Sequence, residues 1–571
     1  MNHRFIATMA TASVSIAGAA NAANINVSAD ITTSVTWTAD NVYNLIDQIY
    51  VQPGATLTIE PGTVIASTPT ANGSGSLAVT RGGKIFANGT QEMPIIFTST
   101  NDTATWVDGD PKTGTWREAA NEWGNLTVMG RAYISNSFVG GNSATFGNNE
   151  SPMEGLIPDF AGDPNTTYGG TDDDYSAGAL AYVSIRYGGR VVGLANELNG
   201  LSLGGIGRGT DIDHIEIMNN VDDGIEIWGG TVNLRYVNIW NIGDDSFDID
   251  QGWRGSAQNG LIVQGYSLDA GQGSGVGDNM CETDGAENSD AQPVTTAQIA
   301  NFTLVGQPID GDGATVWRDG ARVQYNQCII MDCGEKVVRP DGDDGDGAAG
   351  YGFNGTLTLA QVFTTPYTSV STVNAGGIKG AGGAGALYTA QTSGFLAQIA
   401  DTVLYNNSNY ADFDAFGQNA ASKENVIEPG TMPITSIVRD APVVRGGKVM
   451  QRVSSINPMP QGAATTAVGM IGANGFVEDT SYRGGFAPNE NWLCGWTAAE
   501  AFGMVDVPVE FCVEQADCPT DLNGDGVTSG ADVGIFLSMW GTDNPAGDFD
   551  GNGIVGGADF GILLAAFGPC V

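Results

Sequence analysis

Positively charged side chains are scarce in this chain. Its 571 residues include 22 Lys and Arg against 64 Asp and Glu, and the formal net charge is −42 at pH 7. Nucleic acids and anionic membrane surfaces attract cationic proteins, so neither is an expected partner. Only two histidines are present, which argues against histidine-based catalysis and histidine-rich metal sites. Cations, sugars or a basic protein remain as candidate partners.

Long hydrophobic runs are also missing, and no stretch after the N-terminus has the length of a transmembrane segment. Residues 1–22 have the pattern of a secretory signal peptide. Arg4 supplies the positive charge, an uncharged apolar run follows it, and Ala20-Asn21-Ala22 gives the A-x-A cleavage pattern. The alternative is an ordinary apolar N-terminal helix. We expect a secreted protein, extracellular or at the cell surface, whose mature chain begins at Ala23.

The seven cysteines form no CxxC pair and no Cys/His cluster, which argues against a zinc site. They fit an oxidising compartment, although their spacing does not determine the pairing. Cys518 and Cys570 bracket the last fifty or so residues and are candidates for a disulfide. The other candidate pairs are Cys328/Cys333 and Cys494/Cys512, which leaves Cys281 as the odd thiol.

Short apolar segments repeat along the chain at the length of one solenoid coil. The segment DDGIEIWGG, which starts at Asp222, aligns without gaps on DDSFDIDQG, which starts at Asp244, at an offset of 22 residues. A second series has IEI at 215–217, VNI at 237–239 and LIV at 261–263, at spacings of 22 and 24. Such short strands with short turns between them predict coils stacked in parallel.

The predicted fold is therefore all-β, a right-handed parallel β-helix. The 83 glycines fit this prediction because tight corners favour residues that adopt positive φ. A β-sandwich is the alternative, but it would need antiparallel turn signals between paired strands. Polar insertions at 100–122, 140–178 and 266–294 are expected to project as loops, and residues 491–505 have helical spacing that could cap the last coil.

These segments resemble a large set of secreted bacterial β-helix proteins with the architecture of the pectin-lyase-like superfamily. The resemblance rests on ATLTIEPGTVIAS, on the run from NELNGLSLGG to QGWRG, and on NWLCGWTAAEAFG, and it covers most of 23–505. It implies a fold rather than an activity. The expected organisation is a signal peptide at 1–22, a β-helix with insertions and a cap at 23–505, a linker at 506–518 and a small domain at 519–571.

The small domain contains two loops with the spacing of a calcium-binding EF-hand loop, DLNGDGVTSGAD at 521–532 and DFDGNGIVGGAD at 548–559. Oxygen ligands of this kind favour a hard cation, so Ca²⁺ is the expected cofactor. Position 12 is Asp instead of the usual Glu, and one amphipathic helix is expected after each loop. The predicted ligands are Asp521, Asn523, Asp525, the Val527 carbonyl and Asp532, then Asp548, Asp550, Asn552, the Ile554 carbonyl and Asp559.

Two such loop–helix units in tandem resemble a type I dockerin over 519–571. The resemblance implies docking onto a cohesin-like or other surface protein through the helices and loop positions 10 and 11. Those positions hold Gly530-Ala531 and Gly557-Ala558, which departs from the hydroxyl-bearing pair common in cellulosomal dockerins.

The coil repeat also predicts a ladder of carboxylates. Asp222 should stack near Asp244, Asp223 near Asp245, and Glu226 near Asp248. Like charges at strand spacing oppose ionisation unless a cation or backbone amides offset them. Trp228, Asp250 and Trp253 are expected on the same outer surface, with the two indole rings exposed for stacking on sugars. This surface is a candidate cation or glycan site, and Asx turns at the coil corners are the structural alternative.

A catalytic interpretation is also open. The turn aspartates Asp222, Asp223, Asp244 and Asp245 resemble those of polygalacturonase-type β-helices, although the matching Gly-His-Gly and Arg-Ile-Lys motifs are missing and His214 is expected at the solvated surface. Arg254 is the candidate base of a calcium-dependent lyase. The sequence thus favours an exported binding or structural protein with a calcium-dependent docking module. The alternatives are a polysaccharide lyase or glycoside hydrolase, and an adhesin or filament spacer.

Overall fold

A computed structural model describes most of the chain. It covers all residues except 1–22, 71–74, 136–148, 194–195, 268–275, 286–292, 319, 341–358, 368–386, 389–392, 409–424, 470–474, 513–518, 523–526, 543, 545, 551–552 and 570–571. The proposed signal peptide and both Cys518 and Cys570 therefore lie outside the described residues.

Two parallel sheets wind through the described part of residues 23–405, because each short alternating strand pairs with strands of the neighbouring coils. The short sheet contains Gln48–Val51, Ser76–Val79, Leu126–Met129, Leu201–Ile206, Ile225–Gly230, Phe247–Asp250, Cys281–Asp284, Thr315–Arg318 and Val338–Pro340. The long sheet contains Ala23–Val27, Val35–Trp37, Asn41–Leu45, Thr56–Ile59, Val64–Ser67, Lys84–Asn88, Ile95–Ser99, Gly178–Arg186, Asp211–Met218, Asn233–Trp240, Ser256–Val263, Thr296–Val305, Arg322–Asn326, Ile329–Met331, Gln398–Ala400 and Val403–Tyr405. The architecture is a parallel β-helix, as the repeat predicted.

The 22-residue register is confirmed in the short sheet. Ile225 pairs with Phe247 and Ile227 with Ile249, and all four side chains are buried inside the coils. The second series is wrong by one residue at its last step, because Val237 pairs with Gly260 and not with Leu261. A slip of one residue reverses the facing of a strand. Leu261 therefore packs outside the coils, in a cluster separate from the inner core.

The long strands turn a corner in mid-course. Tyr182, His214, Tyr236, Asn259 and Asn301 occupy successive coils and all have positive φ, between 50° and 61°. A single left-handed residue bends the strand without ending it. His214 does not lie at the solvated surface as expected. Its ring stacks between Tyr182 and Tyr236, at centroid distances of 4.1 and 4.3 Å.

The segment that follows the last coil covers the side of the β-helix and not its end. Trp492, Trp496 and the helix Ala498–Ala501 pack on outward-facing side chains of the long sheet, including Met218 and Trp240. The expectation that residues 491–505 cap the last coil is therefore corrected. The reason is the apolar outer face of the middle coils, which needs a cover of its own.

Among the described cysteines, one of the suggested pairs is present and one is not. Cys494 and Cys512 form a disulfide that closes the covering segment. Cys328 and Cys333 are separate buried thiols, so that suggested pair is wrong, and Cys281 is a buried free thiol as well.

The remaining described elements are short. Antiparallel two-stranded sheets pair Ser151–Pro152 with Thr167–Tyr168, Val191–Gly193 with Asn196–Glu197, Ile434–Arg439 with Val453–Pro460, Val443–Arg445 with Lys448–Met450, and Val527–Thr528 with Gly568–Pro569. The helices are Thr100–Thr103, Leu359–Val362, Ala498–Ala501, Gly530–Ser538 and Gly557–Ala565, with 3-10 turns at Pro111–Thr113, Pro164–Thr166, Gly462–Thr465 and Val509–Phe511. Among the described residues, no helix has the length and apolar character needed to cross a bilayer.

Candidate functional site

Carboxylates accumulate on the outer face of the short sheet and at the turns that lead into its strands. Glu226, Asp248 and Glu282 pair in register on three successive coils. Because Ile225, Phe247 and Cys281 face the core, the alternation of each strand turns these acids outward. Adjacent parallel strands are about 4.8 Å apart, so the acids form a column of like charges.

The turn aspartates are joined by a ladder of hydrogen bonds between coils. The Asp223 amide donates to Asn199 Oδ1 at 3.2 Å, the Asp245 amide to Asp223 Oδ1 at 2.9 Å, and the Asn279 amide to Asp245 Oδ1 at 2.5 Å. The structural explanation by Asx-type contacts therefore accounts for one carboxylate oxygen each of Asp223 and Asp245. Each of these carboxylates also has a second oxygen, which can ligate a cation.

Three overlapping groups of carboxylates could each hold a metal ion. They are Asp222/Asp223/Asp244, Asp223/Glu226/Asp248 and Asp244/Asp245/Asp278, and within each group one oxygen per residue lies within 4.8 Å of the others. The groups share Asp223 and Asp244, so they form one continuous acidic track across the coils. We call this track, together with Glu282 and Asp284, the acidic face.

Burial and mutual repulsion both oppose ionisation on this face. Burial is the main cause that raises the pKa of Asp222, Asp223, Glu226, Asp245 and Asp248 well above the ordinary range, and the neighbouring carboxylates raise it further. Burial, Asp312 and Asp244 together raise the pKa of Asp278 to about 7. Near neutral pH the acidic face therefore needs either protons or cations.

A guanidinium group partly neutralises one end of the acidic face. Arg318 donates from Nε and Nη2 to both oxygens of Asp284 at 2.8 Å and also forms an ion pair with Glu282. Among the described residues, Arg339 and Lys448 favour the charged form of Asp278. Glu226, at the other end, accepts a hydrogen bond from the Asn199 amide group, which is neutral and supplies no opposite charge.

The two tryptophans assigned to this surface are not exposed. The Trp228 side chain does point out of the coil, but Met153 and Tyr168 of the 140–178 insertion cover it. Trp253 belongs to the inner core, and its indole N–H donates to the Val232 carbonyl at 3.0 Å. Neither ring can stack on a sugar. The insertion packs against the sheet instead of projecting from it.

Arg254 is structural. It is 2% exposed, and its guanidinium group makes a two-point ion pair with Asp173. Further hydrogen bonds run to the carbonyl oxygens of Tyr133 and Leu387. A guanidinium group held in this way is not available as a lyase base, so the prediction of Arg254 as the candidate base is wrong. Asp250, the remaining outer-face candidate, is half-buried beside the track and pairs in register with Trp228.

Several residues of the acidic face were missed in the sequence. Asp278, Glu282 and Asp284 follow Asp244, Asp248 and Asp250 at an offset of 34, because part of the insertion predicted at 266–294 lengthens that coil. The prediction of a loop over that whole range is wrong, since Cys281–Asp284 within it is a strand of the short sheet. The run DNMCETD then aligns with DDSFDID, so a signal was present. Asn199 and Arg318 carried no such signal, since their roles depend on side-chain reach.

The second C-terminal loop brings its acidic residues together. One carboxylate oxygen each of Asp548, Asp550 and Asp559 lies within a 4.8 Å group. Asp559 is buried and accepts hydrogen bonds from the backbone amides of Asp550 and Gly556, at 3.0 and 2.8 Å. Asn552 lies outside the described residues, and Ile554 is half exposed on the loop.

The first loop has a matching arrangement in its described part. Asp532 is buried and accepts hydrogen bonds from the amides of Leu522 and Ser529, at 2.8 and 2.7 Å. Asp521 is half-buried and Val527 lies in a short strand, whereas Asn523 and Asp525 lie outside the described residues. Each loop leads into one helix, as the sequence predicted. The donor set, all oxygen, fits a hard cation.

The two stacked parallel sheets define the class of protein, that of the parallel β-helix. A family model described as a pectate-lyase-like β-helix domain matches residues 29–376, which is more than half of the chain. The chain therefore belongs to this family. No curated protein matches the sequence, and no solved structure matches it either.

Proposed function

We propose that the acidic face binds Ca²⁺ and that the bound ions present a surface for an extracellular polysaccharide. The observation that carries this proposal is the set of three overlapping carboxylate groups on one face of the β-helix. Carboxylate oxygens are ligands that Ca²⁺ prefers, and each ion removes the repulsion that raises the pKa values of the face. Asp222, Asp244, Asp248 and Asp278 are half-buried, so ions held beside them keep coordination positions for sugar oxygens.

Binding is favoured over catalysis because the one nominated base is occupied. Arg254 is buried and paired with Asp173, and no described contact brings another cation to the turn aspartates Asp222 and Asp223. The family relates the chain to polysaccharides and supports a glycan as the partner. Breakdown of a polysaccharide by the purified protein would replace this proposal with the lyase or hydrolase alternative.

The proposal includes export and a second calcium-dependent part. The Cys494–Cys512 disulfide supports an oxidising compartment, in agreement with the signal peptide proposed at 1–22. The convergent carboxylates of Asp548, Asp550 and Asp559, each loop followed by a helix, support a dockerin-like module over 519–571. This module would attach the β-helix to a cohesin-like or other surface protein.

The test must separate the acidic face from the C-terminal loops. In the full chain, Asp521→Ala and Asp548→Ala remove the first predicted calcium ligand of each loop. Millimolar Ca²⁺ should still raise the melting temperature of this double variant, and adding Asp248→Asn should abolish that rise. Asp108→Asn is the control, because Asp108 is an exposed loop residue with a φ of 55°, which Asn tolerates.

The same proteins are then applied to an array of extracellular polysaccharides with Ca²⁺ or with chelator. Calcium-dependent retention that Asp248→Asn removes and Asp108→Asn keeps supports the proposal. If the double variant shows no response to Ca²⁺, the Asx-type hydrogen bonds explain the face and the proposal fails.

A further inference from the structure

A cavity lies between the long sheet and the segment that covers it. Its volume is about 340 Å³. Arg186, at the end of the strand Gly178–Arg186, lines it from the sheet side, and Trp496 and Glu500 line it from the covering segment. Lys112, from the 3-10 turn Pro111–Thr113, stands exposed at its mouth. The cavity thus brings together two cations in a chain with few.

Arg186 is unusual because its guanidinium group is buried and incompletely used. The residue is 1% exposed. Its Nε donates to Ser184 Oγ at 2.8 Å, but Nη1 makes no hydrogen bond within the described part of the chain. Asp102 Oδ2 lies 3.6 Å from Nη1, which is an ion-pair distance beyond hydrogen-bond range. A buried donor without an acceptor is costly, so an acceptor placed in the cavity would stabilise it.

Surrounding contacts hold this guanidinium group in place. Ser184 Oγ donates to Glu216 Oε2 at 2.5 Å, and the carboxylate of Glu216 accepts hydrogen bonds from the amides of Ala498 and Ala499, at 2.6 and 3.0 Å. The chain Arg186–Ser184–Glu216 therefore connects the sheet to the covering helix. Because the donor is fixed before any ligand enters, little ordering of side chains opposes binding.

The rest of the lining is asymmetric. Pro94, Ile96 and Pro111 supply apolar walls. Glu500 accepts a hydrogen bond from the Gly495 amide, and burial raises its pKa. A carboxyl group in this place can bind hydroxyl groups, whereas Arg186 and Lys112 attract a negative charge. The lining thus offers one anionic subsite, one hydroxyl subsite and an apolar wall.

We infer that this cavity is a binding site for a small hydroxylated carboxylate of up to monosaccharide size, with its carboxylate on Arg186 and Lys112. The volume lies in the range of small-molecule sites, which begins at about 300 Å³. Charge-assisted hydrogen bonds to a guanidinium group are among the strongest in proteins. A neutral sugar of equal size offers Nη1 no charged acceptor and should bind weakly. The inference is independent of the proposed calcium-dependent function of the acidic face.

Calorimetric titration of the full chain with sodium gluconate, in the presence of chelator, tests this inference. Glucose is the neutral comparison, with the same number of carbon atoms. Gluconate should bind with a dissociation constant at or below the millimolar range, and glucose at least about tenfold more weakly. Lys112→Ala should weaken gluconate binding about threefold, as expected for an exposed charge. Lys84→Ala, which removes an exposed lysine that does not line the cavity, should leave it unchanged.

Two further variants address the buried part of the site. Arg186→Gln should weaken binding more than about tenfold, but loss of a buried ion pair could also unfold the covering segment. Ala501→Phe keeps every charged group and fills the cavity at the covering helix, so it should abolish binding while the melting temperature is kept. Equal affinity for glucose and gluconate, no binding at 10 mM gluconate, or full binding by Ala501→Phe would each overturn the inference.

Discussion

Arg254 and Asp173 form a two-point ion pair across 81 residues of sequence, with Nη1–Oδ2 at 2.6 Å and Nη2–Oδ1 at 2.9 Å. The side chains are only 2% and 13% exposed. Burial alone would raise the pKa of Asp173, but the Arg254 guanidinium group and its hydrogen bonds outweigh burial and hold that pKa below its usual value. The pair ties the 140–178 insertion to the turn that follows the strand Phe247–Asp250.

Arg254→Met should therefore destabilise the protein by about 3–5 kcal/mol, because it leaves the Asp173 carboxylate buried without its partner. Urea unfolding measures the change. Arg208→Met is a matched control, since Arg208 pairs with the exposed side chain of Asp174, and a surface pair of this kind is worth less than about 1 kcal/mol. Equal losses in the two variants would contradict a structural role for the buried pair.

The register that pairs Glu226 with Asp248 and Ile227 with Ile249 gives a second prediction. Ile227 is fully buried in the inner stack, so Ile227→Asp places a charge in an apolar core and should cost about 4 kcal/mol. Glu226, the adjacent residue, faces the crowded acidic face. Glu226→Gln removes one of several repelling charges and should leave the melting temperature unchanged or raise it. Similar losses in the two variants would show that the assigned register is wrong.

The sequence predicted those structural features that depend on residues close together in the chain, and missed those that depend on distant residues. The offset that aligns Ile225 with Phe247 was readable because side-chain alternation and coil length are local properties. The exposure of Trp228 was not, since a distant insertion supplies the cover through Tyr168. Alternation determines which way a side chain points, but it does not determine what packs against it.

The acidic face likewise has residues that the sequence predicted and residues that it did not. Asp222, Asp223, Asp244 and Asp245 were found through the repeat, and the inter-coil hydrogen bonds of Asp223 and Asp245 follow from it. Arg318 reaches the face from a coil whose repeat signal is weak. The structural role of Arg254 depends on its contact with Asp173, 81 residues away, and no spacing rule predicts such a contact.

The raised pKa values predict an unusual pH dependence of stability. Unfolded Asp has a pKa near 4, whereas burial and neighbouring carboxylates raise the pKa of Asp278 to about 7 in the folded state. Between these values the folded protein holds more protons than the unfolded chain. The stabilising contribution of such groups is complete below about pH 4 and is lost as the pH rises towards 7.

Asp278→Asn should therefore stabilise the protein at pH 8 in chelator relative to its effect at pH 5. The melting temperatures of the wild type and the variant are measured across this pH range. Groups other than Asp278 titrate in both proteins, so their contribution cancels in the difference between the two melting temperatures. Saturating Ca²⁺ should reduce the difference, since ions replace protons on the acidic face. A pH-independent effect of Asp278→Asn would contradict the raised pKa.

The C-terminal module gives the last prediction. Its described apolar core is small, with Phe536, Met539, Val555 and Leu563 buried between the two helices. A core of this size in about fifty residues is marginal without a metal or a disulfide. The carboxylates of Asp548, Asp550 and Asp559 converge within 4.8 Å and repel one another until a cation neutralises them. Folding of residues 519–571 should therefore be coupled to Ca²⁺.

Isolated residues 519–571 should gain helical circular dichroism when Ca²⁺ is added and lose it with chelator. Asp521→Ala and Asp548→Ala should each remove about one bound ion in calorimetry, because each deletes the first ligand of one loop. Ser538→Ala, at the exposed end of the first helix, should leave the number of bound ions unchanged. If neither the reduced nor the oxidised peptide binds Ca²⁺ at millimolar concentration, the loops are not calcium sites. Hydrogen bonds such as those that Asp559 accepts would then be the explanation for the convergence of the acids.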